Sequence, residues 1–128
     1  MGYRNVVVGT DGSETAQRAV ATAADLARLA GAALELVSAY EPVNPREDVD
    51  ATLADAVERL AGSGLAVRTH TREGDPADAI LDVAEEQGAD LIVVGNKGMT
   101  GARRFLLGSV PNRISHHAPC SVLIVRTN

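Results

Sequence analysis

The stretch VVVGTDGSETAQRAVATAADLARLAGAALELVSA (residues 6–39) changes its periodicity twice. Val6, Val7 and Val8 form a β-branched run without polar alternation, the pattern of a strand buried on both faces. GTDGS (9–13) breaks that run, and Ser13 suits the N-cap of a helix. Ala16, Ala19, Val20, Ala23, Leu26, Ala27 and Ala30 then recur at helical spacing until Gly31 stops them. ALELVSA (33–39) reads as a second strand. Alternating units of this kind imply parallel strands joined by crossover helices.

The rhythm continues outward. YEPVNPRED (40–48), with two prolines and several charges, reads as a connection. Residues 49–61 read as a helix with Val49, Leu53, Val57 and Leu60 on one face, closed by GSG (62–64). LAVRTHT (65–71) is a third strand. Asp75 is placed to cap the next helix, with Pro76 at its first position, where a missing N–H is no loss. Ala77, Ile80, Leu81 and Ala84 carry that helix to Gly88. DLIVVG (90–95) is a fourth strand, residues 110–117 a short helix and SVLIVR (121–126) a fifth strand. The expectation is one α/β domain over residues 1–128: an open, five-stranded parallel sheet with helices on both faces.

Composition narrows the function. The 128 residues carry a net charge of −5, one Phe, two Tyr and no Trp. An acidic chain lacks the basic surface that nucleic-acid binding requires, and without aromatics it has no base-stacking platform. No apolar run approaches the length of a membrane span. The opening MGYRNVVVGTDGS turns polar after three valines, unlike a signal peptide. The single Cys120 has no partner for an internal disulfide, which fits a reducing cytoplasm.

The second informative stretch is VVGNKGMTGARRFLLGS (93–109). A glycine-rich loop is costly to order, so bare backbone here calls for a reason. In open parallel sheets ligands sit beyond the carboxyl ends of the strands, where strand order reverses. Both VVVGTDGS (6–13) and VVGNKG (93–98) end a buried strand in glycine and oxygen-bearing residues. Gly108-Ser109 opens a helix, whose free N–H groups suit phosphate. Gly95, Gly98, Gly101 and Gly108 let backbone approach an anion, and Ser109 adds a hydroxyl. Asp11 suits a ribose diol or a phosphate-held metal. Together these describe a nucleotide site. Neither G-x-x-x-x-G-K-[ST] nor a G-x-G-x-x-G after the first strand is present.

Other residues read more plainly. Ser13 is a cap, His116-His117 a cationic pair at a helix end, His70 a structural strand residue and Cys120 a small packed residue. Arg103 and Arg104 are within the loop, where either could contact phosphate; Lys97, the only lysine, is a weaker candidate. No nucleophile–base–orienter arrangement is visible, so binding rather than dedicated catalysis is expected.

The spacing Gly95-x2-Gly98-x9-Gly108-Ser109 resembles the ATP-binding signature of universal stress proteins. VVVGTDGS, GDPADAI (74–80) and LLGSVPNRISHHAPCSVLIVR (106–126) resemble that family in the same order. The resemblance implies an adenine nucleotide α-hydrolase-like sheet, with strand order 3-2-1-4-5, and a homodimer joined through the fifth strand. It implies Thr10 and Asp11 on the nucleoside, Ala39 and Val94 on adenine, and Gly95 and Gly98 beside ribose and phosphates. Gly108, Ser109 and Val110 would bind phosphate; beside the resemblance, the chemistry of the loop arginines adds Arg104 to the phosphate contacts. Magnesium or manganese would be held mainly by the phosphates of ATP. SAY (38–40) and GSVPNRIS (108–115) resemble family members that take cyclic AMP, so AMP and cyclic AMP are the alternative ligands. Asn96-Lys97 stands where Ser-His is more usual, and the chain is short between the second strand and second helix. Rival readings are a ligand-free interaction module, and a slow ATPase or self-phosphorylating protein modified at Thr100 or Ser109.

Overall fold

The computed structural model describes residues 2–42, 45–96 and 108–127. The elements alternate: β1 (Asn5–Gly9), α1 (Glu14–Ala30), β2 (Ala33–Tyr40), α2 (Arg46–Arg59), β3 (Val67–Glu73), α3 (Pro76–Glu86), β4 (Leu91–Gly95), α4 (Ser109–His117) and β5 (Ser121–Val125). All strand pairs are parallel, in the order β3-β2-β1-β4-β5. Val8 stands opposite Leu36 on one side and Val93 on the other. This is the expected α/β sheet and strand order.

Right-handed crossovers decide which helix covers which face. The chain moves outward from β1 through β2 to β3, then returns to β4 and moves the other way. Val6, Val8, Leu34, Leu36, Leu91 and Val93 therefore face α1 and α2. Val7, Val37, Ile92 and Val94 face α3 and α4. Ala19, Ala23 and Ala27 are buried along α1, so a stripe of small side chains brings that helix close to the sheet. The helix ends match their local signals. Ser13 Oγ accepts from Ala16 N–H at 3.2 Å, and Asp75 Oδ1 from Ala77 N–H at 3.1 Å. Gly31 closes α1 at φ 67°, a left-handed conformation that favours glycine. No helix among the described residues is long and apolar enough to cross a membrane.

Three expectations need correction. The connection expected at 40–48 is shorter, because α2 begins at Arg46. Pro45 takes the N-cap position, and the charges that resemble a loop, Glu47 and Asp48, are the acidic first turn favoured by the helix dipole. On that helix Val49 and Leu53 are buried, whereas Val57 is 39% exposed. The third strand is displaced to Val67–Glu73, since its register with β2 pairs Leu34 with Val67.

One polar feature of the core has no counterpart in the sequence reading. Glu35, in the middle of β2, is fully buried beside Val7 and Val37. Its carboxylate is held from β3: Arg68 donates through Nε (2.9 Å to Oε2) and through Nη2, and His70 Nε2 lies 2.8 Å from Oε1. His70 is thus a structural strand residue, as expected, with a specific partner. Cys120 is half-buried, and burial, then the charge of Asp90, holds its thiol above the usual pKa range. Its side chain packs against the apolar cluster on the α3 and α4 face.

Candidate functional site

The strand order reverses between β1 and β4, so the crevice lies beyond Gly9 and Gly95. On the β1 side, Thr10 N–H extends the ladder by donating to Val37 O at 2.9 Å. Thr10 is 2% exposed, and its Oγ1 accepts from Gly12 N–H at 3.1 Å. Asp11 Oδ1 accepts from Ser13 N–H at 2.9 Å, an Asx turn that fixes the carboxylate at the loop. Its other oxygen has no partner among the described residues. Gly12 turns at φ 83°, and a Cβ there would stand 3.3 Å from Thr52 Cγ2 on α2. The conformation selects glycine, and a side chain would also crowd Thr52.

On the β4 side, Asn96 N–H donates to Val125 O at 2.8 Å, and Asn96 O accepts from Gly108 N–H at 2.9 Å. The second bond brings the start of α4 back to the end of β4, although eleven residues separate them in the sequence. Gly108 is the N-cap, at φ −64° and ψ 166°, values that any residue adopts. The first helical bond runs from Asn112 N–H to Gly108 O at 3.1 Å. Pro111 has no N–H, so the amides without a helical acceptor are those of Ser109 and Val110. These are two of the residues expected at phosphate. Ser109 is exposed and Val110 buried.

Beneath the crevice a small hollow of about 20 Å³ touches Gly9 and Thr15 from one half, and Val94, Gly95 and Val110 from the other. Ala39, Val94 and Val110 share the apolar cluster on the α3 and α4 face. The structure therefore gathers Thr10, Asp11, Ala39, Val94, Gly95, Gly108, Ser109 and Val110 around one end of the sheet. Gly98 and Arg104, with Lys97, Thr100, Gly101 and Arg103, lie outside the described residues. A groove of about 240 Å³ opens between α1 and α2 and reaches the end of β1, lined by Thr10, Gly12, Val20, Thr52, Asp55 and Leu60.

Three residues to which the sequence assigns no structural role join this frame. Ser38 Oγ donates to Thr10 O at 2.7 Å and ties the ends of β1 and β2. Asn96 is the junction between β4, β5 and α4. Thr127 donates to Asn96 Oδ1 through both N–H and Oγ1, at 3.0 Å each. Buried hydroxyls at strand ends are the only sequence signal, and burial of Thr127 depends on packing after β5. Thr127 also gives Gly95 a reason of its own: a Cβ at 95 would stand 3.3 Å from Thr127 Cγ2.

Comparison with known proteins places this arrangement. The family model described as the universal stress protein family matches residues 2–126. Universal stress protein Rv1636 of Mycobacterium tuberculosis is 41% identical, over 98% of this chain and 97% of that one. The crystal structure of a universal stress protein in complex with cAMP superposes with a TM-score of 0.84 at 34% identity, covering both chains fully. The universal stress protein from Archaeoglobus fulgidus in complex with dAMP gives 0.77 at 28% identity, over 98% of this chain and 100% of that one. With the family model matching residues 2–126 and a relative 41% identical over nearly the whole length of both chains, the chain belongs to the universal stress protein family.

Proposed function

We propose that the chain binds an adenine nucleotide in the crevice between β1 and β4, and acts as a nucleotide-responsive regulatory protein. One observation carries the reading. The Gly108–Asn96 bond brings the two amides at the start of α4 to the same end of the sheet as the Asp11 carboxylate. A helix N-terminus favours a phosphate, and a carboxylate a sugar hydroxyl. Relatives in complex with cAMP and with dAMP support the choice of adenine.

In this reading Thr10 and Asp11 hold the nucleoside, Ala39 and Val94 line the base, and Gly95 and Gly98 pass the ribose. Gly108, Ser109, Val110 and Arg104 take the phosphates. Among the described residues no group of three His, Cys, Asp or Glu is placed for a metal ion. With ATP, magnesium or manganese would be held chiefly by phosphate oxygens. Cyclic AMP is the second reading, favoured by the cAMP-bound relative. Binding would bias a homodimer joined through β5, and it shifts that equilibrium only by its differential affinity for two states.

Thermal unfolding with ATP-Mg, AMP, cyclic AMP and GTP tests the site. A ligand at 100 times its Kd stabilises the fold by about 2.7 kcal/mol, which raises Tm by several degrees. The expected result is a shift with at least one adenine nucleotide, little with GTP, and none in Gly108→Val. Absence of any shift would overturn the proposal.

A further inference from the structure

We infer that Thr127, the residue two beyond the end of β5, positions the phosphate end of the site by holding Asn96; this inference rests on the nucleotide reading above. Thr127 is 3% exposed and makes bonds in two directions. Its carbonyl accepts from Arg18 Nη1 on α1 at 2.7 Å. Its N–H and Oγ1 both donate to Asn96 Oδ1 at 3.0 Å. Asn96 in turn holds the backbone of Val125 on β5 and of Gly108 at the start of α4. A continuous chain of hydrogen bonds thus runs from α1 through Thr127 and Asn96 to the helix whose amides face the crevice.

The same side chain has a second contact. Its methyl stands 3.3 Å from the place a Cβ would take on Gly95. Thr127 therefore packs over the glycine at the end of β4 and fixes the amide side chain that follows it. With two donors on one oxygen, the Asn96 side chain cannot turn without breaking both bonds. Its backbone is then held in the position that receives Gly108 N–H, and Ser109 and Val110 keep one aim.

Two variants of similar size separate the hydroxyl from the methyl. Thr127→Val keeps the shape and loses Oγ1; Thr127→Ser keeps Oγ1 and loses the methyl. Each full-length variant is titrated with ATP-Mg, AMP and cyclic AMP by calorimetry, and exchange of the Gly108 amide is followed by NMR. Loss of one net hydrogen bond predicts about three- to tenfold weaker binding in Thr127→Val. Gly108 exchange should accelerate in that variant, and Thr127→Ser should match the parent in both readouts. Unchanged affinity in Thr127→Val, with only a lower unfolding midpoint, would reduce Thr127 to a packing residue and overturn the inference. If the parent chain binds none of the three nucleotides, the nucleotide reading falls by itself. Gly108 exchange then decides whether Thr127 holds the start of α4, and an unchanged rate in Thr127→Val overturns that as well.

Discussion

Glu35 and Arg68 share an ion pair but not an environment. The carboxylate is fully buried and the guanidinium side chain is 54% exposed. Removing one partner is costly in proportion to the charge left without water. Arg68→Met leaves Glu35 buried with His70 as its remaining side-chain partner, and should cost about 3 kcal/mol. Glu35→Gln leaves Arg68 able to reach solvent and keeps an acceptor for it, so the loss should be about 1–2 kcal/mol. Urea denaturation of both variants measures the difference. A larger loss in Glu35→Gln would show that the burial of the carboxylate is not what makes the pair costly to break. None of this is visible in ALELVSA, where Glu35 alternates with apolar residues as a solvent-facing position would. Its burial follows from α3 covering that face of the sheet. Thr10, Asp11 and Ser109 were legible because they stand beside glycines at strand and helix ends. Ser38 and Thr127 were not, because their hydroxyls matter only through partners distant in sequence.

Among the elements, those with both a periodic apolar face and a terminal signal were the most legible. Helix α1 has a stripe of alanines, Ser13 before it and Gly31 after it, and its range follows from them. Helix α2 has neither a side-chain cap nor a wide apolar face, and its start is displaced from expectation. Strand β3 is an edge strand with an intermediate or exposed pattern throughout, so its register depends on β2 rather than on its own residues. The cap is the more testable case. Ser13→Ala removes the acceptor for Ala16 N–H at the start of the helix that follows the Thr10–Gly12 turn. It should lower stability by about 1 kcal/mol, read as a lower urea midpoint at unchanged slope. A changed slope would instead mean that the turn itself had reorganised.

At the scale of the whole molecule the two sheet edges differ. The outer strand β3 carries Arg68, His70, Arg72 and Glu73 among its seven residues. At the other edge, β5 is SVLIV, with Leu123 37% exposed. An apolar edge invites pairing, whereas a charged one resists it. If β5 joins two copies, Leu123→Asp should shift sedimentation from dimer to monomer at micromolar concentration, with the circular dichroism of the fold retained. A parent chain that is already monomeric would remove the basis of that expectation.

If β5 joins two copies, the difference between the edges also limits growth. A sheet with one receptive border has a valence of one: a symmetric pair consumes both receptive borders and leaves only charged ones outward. Assembly by this route ends at two chains, with no fibre, ring or ladder beyond them. Light scattering should then give a mass that rises to twice that of the chain and stays level as concentration increases.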